Sequence, residues 1–204
     1  MQLHFEEMHR RILEKCNNYP IIKNEIAKNG IVKIKTSQLD FFSFVFKTII
    51  SQQISDKAAE SIWKKICDSL GTNKLSIKNF KNDFTLRKSL NYARVSNRKI
   101  EYICSIYQDI RIKKLKTIKL IEMNEIKFKE KFSEYKGVGP WTCDIILIFF
   151  FQKLNILPKG DLIINKMMLR LKKLEKKEIN FKKEFSPFLS IFSLHLWKMS
   201  KRVI

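Results

Sequence analysis

Apolar residues recur three and four positions apart along most of the chain, and strict alternation is confined to one short stretch. Phe42, Val45, Phe46, Ile49 and Ile50 fall on one side of a helix predicted from about Asp40 to Ser51. Gln52-Gln53-Ile54 interrupts that pattern. Ser55 then caps a second helix, with Ala58, Ala59, Ile62, Trp63 and Ile66 at core spacing. Ser96-Asn97-Arg98-Lys99 opens another helix through Ile110, with Ile100, Ile103, Cys104 and Tyr107 inward. Upstream, an amphipathic segment covers residues 5–30, and Ile31-Val32-Lys33-Ile34-Lys35 alternates and reads as extended chain. Residues 71–97 give short, polar-interrupted helices, and Arg111 to Lys119 reads as a Lys-rich connection. Residues 124–135 form a helix that leads into a glycine hairpin, whose partner helix runs from Pro140 to about Lys153. Asp161 starts a helix to about Leu174, and a last helix runs from Pro187 to about Lys201. Only 5 Gly and 4 Pro punctuate these periods. The predicted fold class is all-α.

Charge adds a partner class to that picture. Lys and Arg number 41 against 20 Asp and Glu, a formal net charge of +21. Such an excess points to a polyanion, either nucleic acid or an anionic membrane surface. Part of it reads as a biased codon supply, since Lys, Ile, Asn and Phe are all abundant, and part as ordinary solvated surface. No predicted helix is basic and amphipathic enough to favour a membrane surface. The longest fully apolar run, Ile145 to Phe151, is far shorter than the ~20 residues of a membrane span. Cys16, Cys67, Cys104 and Cys143 form no CxxC pair, and the only histidines are His4, His9 and His195. That argues against a structural zinc site, an iron–sulfur cluster and a secreted disulfide scaffold, and favours a reducing compartment. The start, Met1-Gln2-Leu3-His4-Phe5-Glu6-Glu7, is polar and acidic rather than signal-like. The expected location is the cytoplasm or nucleoid of a prokaryote, or the nucleus or an organelle of a eukaryote.

Two short segments carry candidate chemistry. In Tyr135-Lys136-Gly137-Val138-Gly139-Pro140-Trp141-Thr142, Gly137 and Gly139 suit positive φ and close backbone approach. Pro140 suits the first helical position, where its missing N–H costs nothing. The amides that open the next helix then face outward toward an anion, helped by the helix dipole. A bare GxG is usually an ordinary tight turn. In this basic chain, with these flanks, it reads as a helix-hairpin-helix that holds DNA backbone. The second segment is Gly160-Asp161-Leu162. The plain reading of Asp161 is a helix N-cap, accepting backbone N–H bonds at the positive end of a helix, a setting that suits a carboxylate anion. That is compatible with a carboxylate that stabilises an oxocarbenium-like transition state.

Four segments, in order, resemble the helix-hairpin-helix DNA glycosylase superfamily, and within it the 3-methyladenine DNA glycosylase II (alkyladenine glycosylase) branch. They are Ile49 to Ala59 with its Gln52-Gln53 pair, Ser96-Asn97-Arg98-Lys99, Gly137 to Thr142, and Gly160-Asp161-Leu162. The resemblance implies two helical subdomains with the active-site cleft between them. One would comprise residues 1–40 and 155–204, the other 41–154, with the helix-hairpin-helix at about 124–153. The short N-terminus implies that the β-rich extra domain of some relatives is absent. Asp161 matches the catalytic aspartate. Trp141 and Trp197 match base-pocket positions, Ile145 matches a position that is aromatic in some relatives, and Phe46 is a further pocket candidate. For Trp197, core packing in the last helix is the plain alternative. Gln53 matches the residue that plugs the duplex when a base is flipped out. Gly137, Val138, Gly139 and Thr142 would contact DNA backbone, while Arg98 and Lys99 are either phosphate contacts or plain surface charge. Carbonyls of Ser133, Tyr135 and Val138 match a structural Na+ or K+ site. No other cofactor is expected, and no iron–sulfur cluster.

Bifunctional members carry a lysine just after the hairpin, where this chain has Trp141. The resemblance therefore implies a monofunctional, monomeric glycosylase that acts on damaged bases in double-stranded DNA, leaving an abasic site without strand cleavage. Alkylated purines of the 3-methyladenine type are the expected substrate. Removal of 8-oxoguanine and non-catalytic DNA binding are the competing readings. The segment Phe185 to Ser190 departs from the relatives' more Trp- and Arg-rich pattern.

Overall fold

The computed structural model describes residues 4–113 and 115–203, with backbone alone at 117, 118, 121 and 203. Residues 1–3 and 204, at the ends of the expected terminal subdomain, and residue 114 of the Lys-rich connection lie outside the described residues. Among the described residues twelve α-helices follow one another: α1 Phe5–Lys15, α2 Pro20–Asn29, α3 Phe41–Ser51, α4 Asp56–Ser69, α5 Asp83–Tyr92, α6 Asn97–Arg111, α7 Thr117–Glu122, α8 Glu125–Phe132, α9 Pro140–Phe149, α10 Leu162–Glu175, α11 Phe181–Phe185 and α12 Leu189–Val203. A 3-10 turn, Ile77–Asn79, lies between α4 and α5, and no strand occurs among the described residues. The all-α reading holds.

Several elements differ from the predicted ones for local reasons. The segment 5–30 is two helices, because Pro20 takes the first position of α2 and cannot continue α1. The Lys-rich connection already contains the start of α7. Helix α9 stops at Phe149, short of Lys153, and Gln152 beyond it is left-handed, with φ 54°. Helix α11 was not foreseen; Asn180 caps it through the Lys183 N–H at 3.1 Å, and Phe181 and Phe185 fall one turn apart on its buried side. The last helix begins at Leu189 rather than Pro187, because its first helical bond, from the Phe192 N–H, closes on the Phe188 carbonyl at 2.9 Å.

The chain forms two compact units, Met1–Thr36 with Leu147–Ile204, and Ser37–Ile146. In the second unit α3 is the central helix, packed against α4 and α6, with Phe41, Phe42, Val45, Phe46, Ile49 and Ile50 all buried. Asp40 anchors its start: one carboxylate oxygen accepts from the Ser43 N–H at 2.9 Å, the other from the Ile77 N–H at 2.8 Å. Phe42, Phe46, Phe80 and Tyr107 form a ring cluster beneath it, and the Tyr107 hydroxyl donates to the Phe80 carbonyl at 2.8 Å.

The first unit is organised by α10, which packs against α12 and α2. Tyr19 contributes no side-chain cap to α2; instead the buried Glu175, at the end of α10, accepts from the Ile22 N–H at 2.8 Å. Phe181, Phe185 and Phe192 stack in the core, the last two with centroids 3.8 Å apart. His195 on α12 is fully buried, with Asn29 Nδ2 3.0 Å from its Nδ1 and the His9 ring 5.5 Å away. Burial, then the charges of His9, Lys198 and Arg202, push its pKa down to about 3.

A pH dependence follows. The unfolded chain takes up a proton at His195 near pH 6.5, whereas the folded chain resists it down to about 3. This contribution to stability is complete above pH 6.5 and is lost as pH falls, at up to ~1.4 kcal/mol per unit. His9 is shifted in the same direction. Urea melts of the wild type and His195→Phe at pH 7, 6, 5 and 4 should diverge, with the variant's slope flatter by about one proton. Parallel slopes would place the acid sensitivity elsewhere.

Candidate active site and nucleic-acid interface

The hairpin joins α8 to α9 in the second unit. Gly137 is left-handed, with φ 83°, and a Cβ there would stand 2.0 Å from Cδ2 of Tyr102. Only glycine lets the α6 ring lie against the hairpin. Gly139 does not share this reason: it is not left-handed, and a Cβ there would meet nothing within 4 Å, so it leaves an open face instead. The Val138 N–H donates to the Tyr135 carbonyl at 3.0 Å, the Val138 side chain is buried, and the Tyr135 hydroxyl donates to Asp109 at 2.8 Å. Val138 is thus a post inside the turn, and its N–H is engaged within it. Thr142 is only 2% exposed, and its hydroxyl accepts from Gln52 Nε2 at 2.9 Å. Its side chain holds the hairpin from within and is no backbone contact. Pro140 takes the first position of α9, and the Cys143 N–H donates to the Gly139 carbonyl at 3.1 Å.

Around this turn, Arg98 and Lys99 take different roles. Arg98 is exposed, stacked on the Tyr102 ring at 5.7 Å and hydrogen-bonded to its hydroxyl, which sets a guanidinium beside the hairpin. Lys99 fits neither sequence reading. Its ammonium donates to the carbonyls of Ile50 at 2.7 Å and Gln52 at 2.8 Å, and burial lowers its pKa. It closes the end of α3. Gln53 is exposed at the break between α3 and α4, with φ 59°. Trp141 and Ile145 are half-buried and one turn apart on α9, so they share a face. Phe46 is 0% exposed and surrounded by Phe42, Trp63 and Phe80. It is a core ring and offers no face to a base.

In the first unit, the loop after α9 ends at Asp161. Ser190, at the start of α12, pins it: its hydroxyl donates to the Lys153 carbonyl at 2.6 Å and accepts from the Ile156 N–H at 3.1 Å. The Phe185 to Ser190 segment therefore has a definite task, holding the approach to Asp161. Gly160 turns the chain at φ 78°. Asp161 caps α10, accepting from the Ile164 N–H at 2.9 Å, and is 7% exposed. The indole N–H of Trp197 points at both of its oxygens, 3.3 Å from each, while the indole ring stacks on Phe149 at 5.8 Å. Trp197 is thus more than core packing, since its polar edge addresses the carboxylate. The roles of Gln52, Tyr102, Phe149 and Ser190 were not read from the sequence. Gln52 lay inside a quoted motif, and the others carry no local signal.

All four free cysteines are buried, and burial raises the thiols of Cys16 and Cys104 to about 12. Among the described residues no group of three or more His, Cys, Asp or Glu is placed to hold a metal ion, and no helix is long and apolar enough to cross a membrane.

The model of the HhH-GPD superfamily of base excision DNA repair proteins matches residues 46–189, from α3 through the hairpin and Asp161 to the start of α12. The chain belongs to this superfamily. A DNA-3-methyladenine glycosylase of Saccharomyces cerevisiae is 27% identical over 237 residues, covering 93% of this chain and 77% of the yeast protein. The 3-methyladenine DNA glycosylase of Schizosaccharomyces pombe, solved with abasic DNA, superposes with a TM-score of 0.75 at 21% identity, over 96% of this chain and 97% of that one. An 8-oxoguanine glycosylase/lyase of Clostridium acetobutylicum, solved with DNA, gives 0.71 at 18% identity, over 96% and 70%. The superfamily fold is common to both chemistries, so the side chains must separate them.

Proposed function

We propose that this protein is a monofunctional base-excision repair glycosylase that hydrolyses the N-glycosidic bond of alkylated purines of the 3-methyladenine type in double-stranded DNA. The observation that carries this reading is the Asp161 carboxylate, fixed by the amide that opens α10 and addressed by the Trp197 indole. A cationic alkylated base leaves with the electron pair of the glycosidic bond, and positive charge develops on the deoxyribose. A fixed carboxylate stabilises that charge without reorganising. Water then adds at C1′ and gives up its proton, leaving an abasic site. Because the base leaves as a neutral molecule, no general acid is required. The single carboxylate is then sufficient chemistry. Trp141 and Ile145 on α9 are the aromatic and apolar faces offered to the base. Relatives named for 3-methyladenine support the substrate class.

Trp141 also supports the absence of strand cleavage, since an indole cannot form a Schiff base. Incubated with a duplex carrying 3-methyladenine, the protein should leave the strand intact until alkali is added. A duplex carrying 8-oxoguanine should stay unchanged. Nicks before alkali, with a borohydride-trapped adduct, would overturn the monofunctional reading. Release of 8-oxoguanine alone would favour the other substrate class.

The same reading extends to a monovalent cation on the carbonyls of Ser133, Tyr135 and Val138. The Tyr135 carbonyl already accepts from Val138 and keeps a second lone pair for an ion. When bound, the cation would neutralise carbonyl dipoles beside a phosphate.

A further inference from the structure

Helix α3 ends at Ser51, and the chain must turn before α4 begins at Asp56. The end of a helix leaves carbonyls without partners. Here one ammonium, that of Lys99, takes two of them, Ile50 at 2.7 Å and Gln52 at 2.8 Å. A cation at a helix C-terminus is also favoured by the dipole. The second of these carbonyls belongs to the peptide that joins Gln52 to Gln53. Fixing its direction fixes the backbone rotation with which Gln53 starts. Gln53 is left-handed, φ 59°, a state that a residue with a β-carbon adopts only when its surroundings impose it.

The Gln52 side chain supplies the other constraint. Its Nε2 donates to the Gly137 carbonyl at 2.8 Å and to Thr142 Oγ1 at 2.9 Å, so both amide hydrogens are used on the hairpin. One residue is therefore held through its carbonyl by α6 and through its side chain by the turn between α8 and α9. The next residue, Gln53, is exposed. All these groups lie in the second unit.

We propose that Lys99 and Gln52 are positioning residues that lock Gln53 to the hairpin, so that the side chain entering the duplex and the backbone that grips it act as one rigid piece. Lys99 reaches the DNA only through Gln53. This rests on the proposed action on DNA and adds to it how the plug and the grip are coupled.

The test uses the full chain and a duplex with an abasic analogue next to 2-aminopurine, whose fluorescence rises when the stack is opened. Lys99→Met and Gln52→Glu should behave like Gln53→Ala. The fluorescence rise should fall by at least about three-fold, while the dissociation constant, from anisotropy, changes by less than about three-fold. Lys99→Arg, which keeps a cationic donor at the end of α3, should restore the signal. The double variant Lys99→Met/Gln53→Ala should be no worse than Gln53→Ala alone. Base release from a paired alkylated lesion should slow by about ten-fold and recover when the lesion is left unpaired, since no base pair then has to be opened. Equal loss on paired and unpaired lesions, or parallel loss of affinity and fluorescence, would reduce Lys99 to a general support of the hairpin and overturn the proposal. So would wild-type fluorescence in both single variants. Should the wild type release no base, the enzymatic reading falls, and the fluorescence comparison still decides the coupling.

Discussion

Asp161→Asn is expected to lower single-turnover release of 3-methyladenine by roughly 10³-fold while leaving stability and DNA affinity within about two-fold of wild type. Asparagine caps helices as well as aspartate does, so the bond from the Ile164 N–H survives and α10 still starts where it did. What is lost is the negative charge that the proposed reaction sets against the sugar. Thermal melting and anisotropy check that only the chemistry has changed. Trp197→Phe is the informative companion. It keeps a ring against Phe149 but removes the N–H that addresses both carboxylate oxygens. A smaller loss, about ten-fold, is expected, because the carboxylate remains and only its orientation loosens. An Asp161→Asn protein that released base at the wild-type rate would remove this residue from the reaction.

Gly137→Ala should have the largest effect on the protein itself. The added Cβ would stand 2.0 Å from Cδ2 and 2.5 Å from Cγ of Tyr102. Because Cγ lies at the base of the ring, swinging the tip away does not relieve the overlap. The backbone, at φ 83°, adds its own penalty for any β-carbon. Together these should destabilise the protein by about 2–5 kcal/mol in urea denaturation. DNA affinity should fall by at least about ten-fold, since the added Cβ displaces the turn whose backbone is proposed to grip the phosphates. Adding Tyr102→Ala removes the overlap and leaves the backbone penalty, so about half of the lost stability should return. A Gly137→Ala protein as stable as wild type would show that the turn has room that its geometry denies.

Much of the helical plan could be read from local pattern. Helices α3, α4 and α6 carry strong periods, and the caps Ser55, Asn124 and Asp161 act within three residues of themselves. Where the reading failed, the cause lay in side chains meeting across long stretches of sequence. Glu175 caps α2 from the far end of the chain, Lys99 closes α3, and Tyr102 dictates the glycine at 137. None of these pairs leaves a trace in a window of ten residues. Phe46 failed differently: an aromatic on an apolar face gives the same signal in a core as in a pocket, and only its surroundings tell them apart. The glycines of the hairpin looked alike in sequence yet differ in backbone and in reason. At the site, the position of Asp161 at the head of α10 was legible, whereas the indole that addresses it was expected only as a wall.

Helix α12 has one more consequence. Ser190, which hangs the approach loop, and Trp197, which faces the carboxylate, are seven residues apart on the same helix, two turns or ~10.5 Å. A single rigid rod thus measures both the height of the loop that delivers Asp161 and the place of the group that receives it. If the rod tilts or slides, the hanging point of the loop and the indole move together, while the carboxylate follows α10, whose first turn it caps. The spacing of carboxylate and indole is in this way a gauge of how α10 and α12 sit against each other.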